Sequence, residues 1–76
     1  MPHVIIKLQT GRSDQQKAQI ADEVTKAVML SANCREEAVS VSIEDIDAAD
    51  WTDAVYKPDI LNGSGKLYKK PGYDPL

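Results

Sequence analysis

The sequence predicts an α+β fold built on one βαβ unit, and three observations carry that reading. Val4, Ile6 and Leu8 alternate with His3, Lys7 and Gln9, the period of a strand with one buried face. Ala18, Ala21, Val24, Val28 and Ala32 then recur at threes and fours, the period of a helix with one apolar stripe. Val39, Val41 and Ile43 alternate with Ser40, Ser42 and Glu44, which makes a second half-buried strand. Two strands separated by a long helix run parallel and are joined by a right-handed crossover.

The first strand starts directly on Pro2 and breaks at Thr10-Gly11, delivering Arg12. Ser13-Asp14-Gln15-Gln16 fits a capping box, with Ser13 placed to accept from the N3 amide and Gln16 to reach back. A helix from Asp14 to about Ala32 would be roughly 28 Å long, a match for the strands it covers. Ile20, Ala27 and Leu30 join its apolar face, and Lys17, Asp22, Glu23 and Lys26 take the other side. Asn33-Cys34-Arg35-Glu36-Glu37 is a polar turn into a strand over Ala38–Glu44. Beyond it, Asp47-Ala48-Ala49-Asp50 offers caps, and Trp51, Ala54 and Val55 sit at helical spacing. Pro58 should stop that helix, which is expected over residues 50–57. Asn62-Gly63-Ser64-Gly65 reads as a loop. Gly65-Lys66 does not complete a phosphate loop, because the motif needs glycine at position 60 and Ser or Thr at 67, where Ile60 and Leu67 stand.

With 76 residues, the chain is expected to be a single domain, with a βαβ core over 2–46 and a short helix and tail over 47–76. A chain of this size buries only roughly 60% of its unfolded surface. Two strands and one helix cannot close a core, and the open sheet edges call for a second copy, giving a four-stranded sheet under two helices. His3, Lys7, Gln9, Ser40, Ser42 and Glu44 leave Ile5 as the only large apolar residue on the outer sheet face. That face is poor material for a dry interface between dimers, so a homodimer is expected before a hexamer. The net charge of −3 argues against a nucleic-acid surface; Lys66, Lys69 and Lys70 form the only basic cluster. No apolar run approaches the ~20 residues of a membrane span. One cysteine, Cys34, and no export signal point to the cytoplasm.

His3 is the only imidazole, and no histidines or cysteines stand at metal spacing, so no metal site is expected; no cofactor is expected either. A base must come from elsewhere, and Pro2 supplies one if Met1 is removed. Its nitrogen then changes from a tertiary amide into a secondary amine with a lone pair. An α-amino group titrates near ~8, close enough to neutrality for proton transfer. Arg12, at fixed spacing from it, presents a guanidinium fork suited to a carboxylate, although most arginines are simply solvated.

Met-Pro, a short apolar strand and then Gly11-Arg12-Ser13-Asp14-Gln15-Gln16-Lys17 together resemble the 4-oxalocrotonate tautomerase family, over nearly the whole chain. The resemblance implies that Pro2 shuttles a proton between the oxygen and a carbon of an enol, while Arg12 holds the substrate carboxylate. A second family arginine falls at Ser40 here, and an aromatic pocket wall falls near Trp51. Lys69-Lys70-Pro71-Gly72-Tyr73 resembles the tail of a bacterial branch whose members are dimers. The implied reaction is enol–keto isomerisation of a 2-hydroxy-alkenoate or an aryl-enolpyruvate. Two alternatives stand beside it: hydration or dehalogenation of an unsaturated acid, with Glu44, Asp45 or Asp50 activating water, and a non-catalytic small-acid-binding subunit if Met1 is retained.

Overall fold

Alternating apolar residues do form two strands, β1 over His3–Gln9 and β2 over Ser40–Ile46, in a computed structural model that describes all 76 residues, Met1–Leu76. They pair in parallel from His3–Ser40 to Gln9–Ile46, so Val4, Ile6 and Leu8 face the same side as Val41 and Ile43. The ladder runs on at both ends. The Ser40 N–H donates to the Pro2 carbonyl at 3.2 Å, and the Thr10 N–H donates to the Ile46 carbonyl at 3.0 Å. β2 begins two residues later than its alternation predicts because Glu36–Ala38 coil into a 3₁₀ turn, with the Ala38 and Val39 N–H groups donating back to Arg35 and Glu36.

The connecting helix, α1, spans Asp14–Ala32, as its pattern predicts. The Gln16 N–H donates to the Ser13 hydroxyl at 3.1 Å, and the Ser13 N–H donates to Gln16 Oε1 at 2.9 Å. Such a cap contributes about 1 kcal/mol. The helix stops at Asn33, which takes the left-handed conformation at φ 55°, a turn that asparagine tolerates. Its packed face is rotated from the predicted one. Lys17, Ile20, Ala21, Val24, Thr25, Val28 and Met29 are half-buried, while Ala18, Ala27 and Ala32 are exposed and Leu30 is 86% exposed. Alanines bury too little area to fix the phase of a helix; the branched and long side chains do so. Lys17, placed on the wet side by its charge, instead lays its stem along this face and meets the Asp45 carboxylate at the end of β2.

The last third corrects the sequence reading. A 3₁₀ turn over Ala48–Asp50 leads through Trp51 into a helix that continues past Pro58 to Leu61. Thr52–Leu61 is wound as a π-helix. In an α-helix the proline ring collides with the carbonyl four residues back; the wider π turn moves that carbonyl aside. The end comes at Asn62, whose N–H and side-chain amide both donate to the Lys57 carbonyl. A side chain at Gly63 would collide with the Asp59 carbonyl, so glycine alone fits that turn.

Burial is uneven. Val55 and Tyr56 of the π-helix are the only buried residues, at 4% and 7% exposure. The Tyr56 ring packs against Tyr73 of the tail at 5.7 Å. In contrast, α1 lies over β2 rather than β1, and the inward residues of β1 are only half-covered. The π-helix stands beside the outer sheet face, tied to it by the Lys7–Asp59 ion pair. The second edge of β1 has no strand beside it.

Candidate active site

Pro2 heads β1 with its carbonyl fixed by the Ser40 amide, so the backbone at the amino end is held by the sheet. Met1 precedes it, fully exposed at 104%. Ser40 lies beside Pro2 in the ladder, but its hydroxyl turns to the outer face, 2.7 Å from His3 Nδ1. Pro2, His3 and Ser40 therefore gather at one end of the sheet.

Arg12 and Trp51 gather at the other. The chain leaves β1 through Gly11 at φ 136°, a conformation open to glycine and strained for any other residue. The Thr10 hydroxyl donates to Asp47 at 2.8 Å, joining this turn to the segment that follows β2. Arg12 is then exposed, with one guanidinium N–H donating to the Gln9 carbonyl at 3.1 Å and its other donors open. It lines a cleft of about 330 Å³ with Lys7, Leu8, Gln9, Trp51 and Tyr73. Trp51 is half-buried, and its indole N–H donates to the Tyr73 hydroxyl at 2.9 Å. Six rises of roughly 3.3 Å separate His3 from Gln9, which puts Pro2 and this cleft about 20 Å apart within one chain.

The charges around the cleft are already committed, apart from Arg12. The hydrogen bond from Lys7 to Asp59 holds its ammonium above the ordinary lysine range, with Glu44 adding a weaker attraction at 4.0 Å. Asp45 does the same to Lys17. Of the carboxylates considered for water activation, Glu44 lies exposed beside Lys7 and Asp45 is bound to Lys17. Asp50 lines a separate acidic cleft of about 480 Å³ with Asp45, Asp47 and Asp53, where an anionic substrate is repelled.

Of the cleft residues, the sequence reading assigns Arg12 and Trp51 to the site; Lys7, Leu8 and Gln9 read only as strand, and Tyr73 only as tail. Pro71-Gly72 signals a turn, which returns the chain toward the π-helix, but no spacing relates Tyr73 to Arg12 at a distance of sixty-one positions.

A family model described as Tautomerase enzyme matches residues 2–55. Over all 76 residues the chain is 41% identical to a Xylella fastidiosa protein named Probable tautomerase, covering 93% of it. It is 36% identical to Tautomerase PptA of Klebsiella pneumoniae over 96% of this chain and 97% of that protein. Among solved structures it resembles YwhB, a homologue of 4-oxalocrotonate tautomerase, at 37% identity and a TM-score of 0.59, over 60% of this chain and 75% of that one. A 4-oxalocrotonate tautomerase isozyme from Methylibium petroleiphilum aligns at 25% identity with a TM-score of 0.61, over 63% of this chain and 75% of that one.

Proposed function

We propose, for a chain that belongs to the 4-oxalocrotonate tautomerase family and is a tautomerase, that Pro2 freed of Met1 is its acid–base group and that the site is completed by a second copy. The observation that carries this reading is the separation of Pro2 from the Arg12 cleft along a strand whose other edge is open. Antiparallel pairing of two such edges about Ile6 sets Pro2 opposite Thr10 of the partner subunit, next to that subunit's Arg12. The resulting homodimer has a four-stranded sheet under two helices, each chain forming one domain over residues 2–76 once Met1 is removed. The π-helix beside the outer face favours the dimer over a hexamer stacked through that face.

The chemistry follows from the two halves. The neutral Pro2 amine takes the enol hydroxyl proton and becomes a secondary ammonium, the electron pair moves to form the carbonyl, and the ammonium returns a proton to carbon. An amine titrating near ~8 suits both transfers at neutral pH. Arg12 receives the substrate carboxylate, Trp51 forms an apolar wall, and Ser40 offers at most a neutral donor. No metal or cofactor is needed for this shuttle. The substrate class is a 2-hydroxy-alkenoate or aryl-enolpyruvate with a single carboxylate. Hydration and dehalogenation draw no support, since the candidate carboxylates are ion-paired, on the outer face or in the acidic cleft.

Mixed dimers test the reading. Pro2→Ala and Arg12→Ala homodimers should each be crippled, yet a dimer of one with the other holds one site with both residues and one with neither. Co-refolding equal amounts should restore about a quarter of the parent's sites by random pairing. Failure to recover activity, with the absence of Met1 established by intact mass, would place Pro2 and Arg12 in one chain's site and overturn the proposal.

A further inference from the structure

We infer that Tyr73 is a specificity-determining residue, whose phenol O–H joins Arg12 in binding the anionic end of the ligand. The inference rests on the reading of the Arg12 cleft as the carboxylate end of the site, and it adds a residue beyond the 2–55 span of the family model.

The direction of one hydrogen bond is the starting point. An indole nitrogen can only donate, so in the 2.9 Å contact with Trp51 the Tyr73 oxygen is the acceptor. Its own proton is left over, and no protein group takes it. Accepting one hydrogen bond polarises the hydroxyl and makes it a better donor. The ring is held in place from behind by the buried Tyr56 ring at 5.7 Å, so the hydroxyl does not have to be ordered at the moment of binding.

The surroundings say what that donor would meet. Lys7, the other cation of the cleft, is engaged by Asp59, which leaves Arg12 as the open positive charge. Arg12 spends one N–H on the Gln9 carbonyl and keeps the others. A guanidinium and a phenol lining one small cleft, together with Leu8 and the Trp51 ring, match a carboxylate attached to an apolar body. A carboxylate has lone pairs enough for both donors. A neutral ester or amide offers weaker acceptors and no charge.

Trp51 is the only tryptophan, so its fluorescence reports occupancy without any need for turnover. The probes are 3-phenylpropanoate and its methyl ester, titrated into the dimer as parent and as Tyr73→Phe, which keeps the ring stack and removes the hydroxyl. The expected result is a loss of about tenfold in affinity for the carboxylate, the size expected of one hydrogen bond to a charged group, with ester affinity unchanged. In an Arg12→Ala background the Tyr73→Phe loss should shrink, because the anion is no longer held at the cleft. Equal losses for acid and ester would mean that Tyr73 only props Trp51, and would overturn the inference. So would unchanged carboxylate affinity in Tyr73→Phe, or no binding of the acid to the parent. Tyr73-dependent, acid-selective binding in a protein without Pro2-dependent turnover would sustain this inference and sink the proposed mechanism instead.

Discussion

At its amino end β1 follows Pro2 and sets His3 against the neutral Ser40 hydroxyl of β2; at its carboxyl end it delivers an arginine to a cleft walled by Trp51 and Tyr73. On the proposed reading, one end moves a proton and the other holds an anion. Neither does both, and about 20 Å of strand keeps them from meeting on a substrate a few ångströms across. The contrast teaches that chemistry can be divided between the ends of a single element provided that the element pairs with an inverted copy of itself. A seven-residue strand with one open edge allows that inversion.

The largest expected effect tests the amino end. Pro2→Ala should lower kcat by about 10²-fold or more, in keeping with a general acid–base contribution, with KM and melting temperature little changed. The carboxyl end should respond in the other parameter. Arg12→Ala removes charge-assisted bonds to the ground-state carboxylate and should raise KM by roughly tenfold or more, with melting again unchanged because the side chain is exposed. Steady-state kinetics on the two variants would break the comparison if Arg12→Ala lowered kcat alone, or if Pro2→Ala acted only on KM.

A smaller effect is expected from giving the amino end the charge it lacks. A dicarboxylate presents a second anion, and burying it without a partner costs several kcal/mol. The parent should therefore prefer phenylenolpyruvate to 2-hydroxymuconate in kcat/KM. Ser40→Arg should move that ratio toward the diacid by several-fold, roughly the worth of one charged hydrogen bond. No movement would show that a side chain at position 40 stays on the outer face with His3, where the serine hydroxyl lies.

The sequence made the βαβ unit readable because its elements carry redundant signals: alternation in both strands, and a capping box that sets the first turn of α1 to the residue. The helix phase was harder to read, since Ala18, Ala27 and Ala32 look apolar but bury little, and the stem of Lys17 packs despite its charge. Pro58 misled for a sound local reason, as the rule that proline ends a helix presumes α winding. For the candidate site, Pro2 and Arg12 are named as candidates by their places before and after β1, and Trp51 by the resemblance. Their division between two ends needed only the strand length. Tyr73 was hidden because what places it is contact with Tyr56 and Trp51, a tertiary relation with no periodic trace.

Alkaline pH should produce the smallest effect and act on one end. Lys7 and Lys17 have folded-state pKa values raised above 10.5, chiefly by hydrogen bonds to Asp59 and Asp45. Tyr56 is raised above 10.0, chiefly by burial, with nearby Asp74 and Tyr73 adding to it. Lys26 is raised as well, chiefly by its hydrogen bond to Asp22, and all four raised values have the same sign of linkage. The folded protein binds the proton more tightly than the unfolded chain, so the stabilisation is fully present below the unfolded pKa. It is lost as pH rises through the folded one. Lys7, Lys17 and Tyr56 join the π-helix to the sheet, α1 to the end of β2, and the π-helix to the tail, on the side of Arg12 and Trp51, whereas Lys26 and Asp22 pair within α1 and join no two elements. Raising the pH past about 10 should therefore lower the melting temperature and shift Trp51 emission. Backbone exchange at Val4 should not rise before the emission changes, because the ladder beside Pro2 depends on none of these groups. Lys17→Met, which keeps the apolar stem but not the charge, should remove part of the pH dependence and little of the stability at pH 7, since partly exposed ion pairs contribute only modestly. If the emission stays constant while the amino end loosens first, these ion pairs and the Tyr56 contact do not hold the carboxyl end together.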